Sequence, residues 1–210
     1  MFKNRIDAAT QLAQRIAHLQ NHPQLLVLAI PRGGVPVGAI IAEKLKAPLD
    51  IIFTKKIGAP FNPEFAIGAI TPETSFINVQ YDNPTYTTFL ETEIPRLQSL
   101  LKERALKYRN GKEKPFCTGK TIVIVDDGVA TGRTLLAATE AIKKQHPRKI
   151  IIATPVITPE VKKMLEQKVD EVITVIEPSY LGAIGEFYQD FSPVEDETAI
   201  KILQSSGYAA

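Results

Sequence analysis

Asp126 and Asp127 stand side by side where a run of β-branched residues gives way to small ones, in IVIVDDGVATGRTLLAATEAI (122–142). After the acids, Gly128 and Gly132 let a ligand approach the backbone closely, and Thr131 and Thr134 bring hydroxyls to what reads as a helix start. Exposed amides and the positive end of a helix dipole make this loop a phosphate cradle. Two carboxylates touching that phosphate would repel it. Set beside it, they accept hydrogen bonds from a vicinal diol, so a sugar phosphate suits both halves of the loop.

Other chemistries fit less well. A P-loop nucleotide hydrolase also has an apolar strand ending in acids, but no G-x-x-x-x-G-K-[ST] occurs; the GKT at 119–121 has Lys114 where the first glycine belongs. A signalling receiver domain needs an aspartate ending a following strand, and ATPVITP carries none. A purely structural turn is a poor account of two acids, two glycines and two threonines at these offsets.

A second polar loop lies in AIPRGGVPVG, where Arg32, Gly33 and Gly34 can wrap a polyanion with amides and a guanidinium together. Alone, this signal is weak, since many strand-to-helix turns contain glycine. Lys55 and Lys56 stand together at the end of another apolar run, DIIFTKKI.

Five apolar runs must position these groups: 25–30, 50–57, 121–127, 149–156 and 171–178. Their β-branched residues are nearly continuous, as in parallel strands covered on both faces. Helical stretches follow the first, third and fourth runs (VPVGAIIAEKLK, TLLAATEAIKKQ, PEVKKMLEQ), and an amphipathic helix opens the chain. The expected fold is therefore α/β: a doubly wound, mainly parallel five-stranded sheet with helices on both faces. Ligands in such sheets bind beyond the carboxyl ends of the strands, where all three groups fall. Residues 58–119 interrupt the pattern, and suggest a loop, a short antiparallel pair and one long helix over 84–112 that Pro95 should kink or delay. The segment PSYLGAIGEFYQDFSP concentrates aromatics after the last strand.

Composition restricts the function classes. With 210 residues, 44% of them hydrophobic, the chain can bury one sizeable core, and 25 basic against 23 acidic residues give too small a bias for nucleic-acid binding. The single cysteine, Cys117, permits no internal disulfide, no Cys/His cluster has zinc spacing, and no run approaches the ~18 apolar residues of a membrane span. A cytoplasmic protein is expected, without membrane or nucleic-acid partners.

From Ile122 to Thr134 the chain resembles the type I phosphoribosyltransferases, whose signature is an apolar strand, two acids and a small-residue loop. The resemblance implies transfer of ribose 5-phosphate from phosphoribosyl pyrophosphate to a nitrogenous base or amine, with release of pyrophosphate, in nucleotide metabolism. It assigns Asp126 and Asp127 to the ribose hydroxyls, and Val129, Ala130, Thr131, Gly132, Arg133 and Thr134, following Gly128, to the 5-phosphate. Arg133 departs from the family pattern, which usually has a small or neutral residue there. By the same resemblance Arg32, Gly33 and Gly34 take the pyrophosphate, with a non-proline cis peptide at Arg32–Gly33. Lys55 and Lys56 help Arg32 steady the leaving group, and a mobile loop at 57–65 closes over the substrate.

The implied core spans 1–178, with a small C-terminal hood at 179–210 in which Phe187 and Tyr188 are candidates to stack on an acceptor base. Mg²⁺ is implied as cofactor, held mainly by substrate oxygens near Asp126 and Asp127, and a homodimer is implied by the family's frequent dimers. The long helix is an insertion relative to the smallest members; its Arg104 and Arg109 could reach the site, though a solvated helix face is the simpler expectation. The alternative function is a non-catalytic sensor of phosphoribosyl pyrophosphate or a nucleotide on the same fold. DNA-binding versions would be expected to carry a recognition domain, for which residues 1–24 offer little room.

Overall fold

A computed structural model describes residues 1–206, the side chains of Glu64 and Val79 excepted. Residues 207–210 of the hood expected over 179–210 lie outside the described residues. The central sheet is parallel. Its strands are β1 (Leu25–Ala29), β2 (Leu49–Ile51), β6 (Thr121–Val125), β7 (Lys149–Val156) and β8 (Glu171–Ile176), in the order β2-β1-β6-β7-β8. Every residue of β1 and β6 is buried, as the continuous apolar runs require. Side-chain alternation divides them between two cores. Val27, Ala29, Val123 and Val125 face α1 (Arg5–Arg15) and α2 (Gly34–Leu45) through Leu12, Ile16, Ile41 and Leu45. Leu26, Leu28, Ile122 and Ile124 face α4 (Arg133–Lys143) and α5 (Pro159–Glu166) through Leu135, Ile142 and Leu165.

From β1 the chain moves to β2 on one side, whereas from β6 it moves to β7 on the other. The adjacent carboxyl ends of β1 and β6 thus form the switch point at which open α/β sheets bind ligands.

The second apolar run does not stay in this sheet. β2 stops at Ile51, and Lys55 and Lys56 instead open a three-stranded antiparallel sheet: β3 (Lys55–Ala59), β4 (Asn62–Ile70) and β5 (Ser75–Ile77). Lys55 pairs with Ile70 and Lys56 with Ala69. Two consecutive exposed lysines do not suit a strand covered on both faces, which is the physical reason for the break. The segment 57–65, expected as an irregular loop, is largely ordered as this hairpin, with a register shift around Gly58 and Phe61 fully exposed at the tip.

Helix α3 runs unbroken over Pro84–Arg109 with Pro95 inside it, started by Asn83, whose side chain caps the amide of Thr85. Helix α6 (Asp196–Ser205) packs against α2 and α3. No described helix is long and apolar enough to cross a membrane.

Candidate active site at the sheet's switch point

The loop after β6 begins with the acids. Asp127 is buried, and its Oδ2 accepts from Arg5 Nε at 2.7 Å, while its carbonyl accepts the Tyr188 hydroxyl at 2.6 Å. Asp126 is half-buried, accepts the Asp127 N–H at 2.9 Å and makes no ion pair among the described residues. Burial, and after it the charge of Asp127, push the Asp126 carboxyl well above the usual carboxylate range. The pair is thus divided: Asp127 is turned inward, and Asp126 carries the electrostatic cost.

Beyond the acids, Val129 donates its N–H to the Val156 carbonyl at 2.9 Å and is buried, so its amide is not available to a phosphate. The case differs from residue 130 onward. Gly132 caps α4 in the left-handed region (φ 71°) and supplies no side-chain cap. Among the described residues no backbone carbonyl accepts the N–H groups of residues 130–135. Ala130, Thr131, Arg133 and Thr134 are exposed around them. First-turn amides at a helix start are donors that an anion can satisfy.

The loop after β1 lies directly against this one. A Cβ on Gly33 would stand 1.9 Å from Asp127 Oδ2, and one on Gly34 would stand 2.8 Å from the Val125 carbonyl. The two loops can meet only because these positions are glycine. Gly33→Ala is therefore expected to drive Asp127 off Arg5 and to lower stability by about 1–3 kcal/mol, the usual range for overpacking, as read by chemical denaturation. An unchanged midpoint would show that the two loops yield freely. The cis peptide falls at Pro31–Arg32, one bond before the position the resemblance implied.

A model of the phosphoribosyl transferase domain matches residues 2–191. The chain belongs to the phosphoribosyl transferase family. A Mycobacterium tuberculosis protein of strains CDC 1551 and H37Rv, whose name gives phosphoribosyl transferase as a provisional assignment, is 36% identical over 208 residues. That match takes in 97% of the chain but 46% of the relative, so the chain spans about half the length of the curated relatives it matches. A crystal structure of a Thermus thermophilus protein superposes with a TM-score of 0.86 at 35% identity, covering 100% of both chains.

Other elements complete the surroundings of this candidate site. Lys55, Lys56, Thr131, Arg133 and Thr134 line one cleft of about 730 Å³ between the antiparallel sheet and α4. The lysines and the loop after β6 thus share a cavity. Phe65, from the segment expected to close over the substrate, also lines it; Asn78, Gln80 and Tyr81 do too and were not foreseen, because they lie in a segment with no chemical motif. Arg32 is exposed and reaches Glu195 Oε2 at 3.2 Å, which ties the β1 loop to the start of α6.

Other expectations change as well. Tyr188 offers no stacking face to a base: it is 5% exposed, its ring lies between Phe2 and Phe191, and its hydroxyl is committed to Asp127. Phe187 is half-buried beside it, and its carbonyl accepts the Phe2 N–H at 2.8 Å. Arg104 and Arg109 do not line this cleft, and each is held by an acid outside the helix, although Arg104 stays 40% exposed along its side chain. Arg104 bonds Asp196 at 2.7 Å, and Arg109 makes a buried pair with Asp50 at 2.9 Å and donates to the Ile51 carbonyl at 3.0 Å. Arg5 is the group that sequence reasoning missed, since its partner is 122 residues away and no local pattern marks it.

Proposed function

We propose that the chain transfers ribose 5-phosphate from phosphoribosyl pyrophosphate to a nitrogen acceptor. The observation that carries this reading is the acid pair set directly before an uncapped helix start with open amides, at the switch point and against the Arg32–Gly34 loop. In this reading the amides of residues 130–134, with the hydroxyls of Thr131 and Thr134, hold the 5-phosphate. Asp126 accepts from the ribose hydroxyls, with Asp127 behind it. The backbone of Gly33 and Gly34, with Arg32, takes the pyrophosphate, and Lys55 and Lys56 help to steady it as it leaves.

The C1–O bond to pyrophosphate breaks with its electron pair, the acceptor nitrogen bonds to C1, and the acceptor's proton leaves to solvent. The ring is electron-poor as the bond breaks, so a fixed carboxylate beside it and cations beside the departing pyrophosphate are both effective. Nothing here calls for a protein nucleophile, because positioning does most of the work.

The residues suit Mg²⁺ carried in with the substrate. Among the described residues no group of three or more His, Cys, Asp and Glu side chains could hold an ion alone, and one oxygen of Asp127 already belongs to Arg5. When bound, the metal would neutralise charge on the pyrophosphate oxygens.

The test is pyrophosphate release from Mg²⁺–phosphoribosyl pyrophosphate across a panel of nucleobases and amines, with calorimetric affinity measured alongside. Release with at least one acceptor supports the enzyme. Tight binding without release from any acceptor would favour the sensor reading, and absence of binding would sink both.

A further inference from the structure

Arg5 has no part in the transfer as outlined above, yet it is the one cation held against the acid pair among the described residues. It opens α1, and both it and Asp127 are almost wholly shielded from solvent along their side chains. Nε donates to Asp127 Oδ2 at 2.7 Å, Nη1 donates to the Ser192 carbonyl at 2.8 Å, and the guanidinium lies over the Phe191 ring, 3.9 Å from its centroid. Three contacts to two distant segments fix a single orientation.

The arm that carries Arg5 is itself fastened to the C-terminal hood. The Phe2 N–H donates to the Phe187 carbonyl at 2.8 Å, the Gln189 N–H to the Phe2 carbonyl at 2.8 Å, and the Asp190 N–H to the Lys3 carbonyl at 3.0 Å. Arm and hood thus form one clamp, and Arg5 is the point at which it reaches the site. Mere packing would not require a charge there. The charge matters because a ligand bearing three phosphates must come beside two adjacent carboxylates, and a guanidinium is suited to a shielded ion pair.

We infer that Arg5 is a positioning residue for the sugar phosphate. It offsets the charge of Asp127 and holds that carboxylate back against the Gly33 backbone, so that Asp126 faces the ribose and the anionic ligand meets one uncompensated carboxylate rather than two. This rests on the reading of the site given above.

The test uses the full chain with Arg5→Lys, Arg5→Gln and Arg5→Met. Calorimetric Kd for Mg²⁺–phosphoribosyl pyrophosphate is measured for each, with KM and kcat wherever release is detected. Charge-offset predicts that Gln and Met weaken Kd, and KM with it, by about tenfold or more while kcat stays within about threefold, as expected for ground-state binding. Lys keeps the charge and should stay within about threefold of wild type in Kd. Gln keeps a donor toward Asp127, so it decides the matter should Met fail to fold. A melting temperature lowered in all three, with Kd unchanged in the folded protein, overturns the inference and leaves Arg5 a structural strut. Wild-type protein that does not bind the ligand would instead bring down the reading of the site, which separates the two failures.

Discussion

Replacing Asp126 with asparagine is expected to raise the melting temperature of the unliganded protein while turnover falls by a factor on the order of 10²–10³. Asparagine keeps the side chain's size and its oxygen, so the bond from the Asp127 N–H at 2.9 Å can persist. What disappears is a carboxylate disfavoured by burial and by the charge next to it. The pH dependence follows from the direction of that shift. A carboxyl raised in the folded state contributes stability below its unfolded value, about 3.9, and that contribution is lost as pH rises through the raised folded value. The advantage of Asp126→Asn should therefore be largest near neutrality and vanish in acid, where Asp126 is protonated in the wild type. Asp190, Asp196 and Glu93 are shifted the other way, but they are common to both proteins and cancel in the difference. Melting curves across pH check this; a variant less stable than wild type at neutrality would show that Asp126 is held by something other than its ligand. A group that costs stability until substrate arrives is typical of a functional site.

A second large effect is expected far from the chemistry. Arg109→Ala should destabilise the protein by about 3–5 kcal/mol, because it strands Asp50, only 7% exposed along its side chain, without its partner. For a chain of this size that corresponds to a fall of roughly 6–20 °C in melting temperature. Burial raises the Asp50 carboxyl even with Arg109 beside it, so the pair is an electrostatic cost rather than a gain at neutral pH. The double variant Asp50→Leu/Arg109→Met should accordingly recover most of the loss. A single variant as stable as wild type, or a double variant worse than the single, would contradict this account. The pair ties the end of α3 to the edge strand β2, since Arg109 also donates to the Ile51 carbonyl.

The central fold was legible because its strands are buried on both faces and so leave unbroken β-branched runs, and because two of the strand-to-helix turns carry glycine. The candidate site after β6 could be picked out because its residues, Asp126 to Thr134, are consecutive. Legibility failed where the deciding partner is remote. DIIFTKKI reads as one strand, yet Lys55 and Lys56 pair with residues of β4 that the run itself cannot reveal. Tyr188 looks like a platform for a base until its hydroxyl is seen bonded to the Asp127 carbonyl. Arg5 sits in an ordinary amphipathic helix start, capped by Asn4, and only the folded chain brings it to the acids. Arg104 and Arg109 looked like a solvated charged face because the acids that claim them, Asp196 and Asp50, lie outside the helix.

The most direct test of the proposed 5-phosphate site is an amide-shift titration of the ¹⁵N-labelled protein with ribose 5-phosphate, which isolates the loop after β6 from turnover and from the acceptor. The largest shifts should fall on the amides of Thr131, Gly132, Arg133 and Thr134, whose N–H groups find no backbone carbonyl among the described residues, while Val129, bonded to the Val156 carbonyl, moves little. Saturable shifts confined to Lys55 and Lys56, or no shift in the loop after β6 at millimolar ligand, would contradict the assignment of that loop to the 5-phosphate.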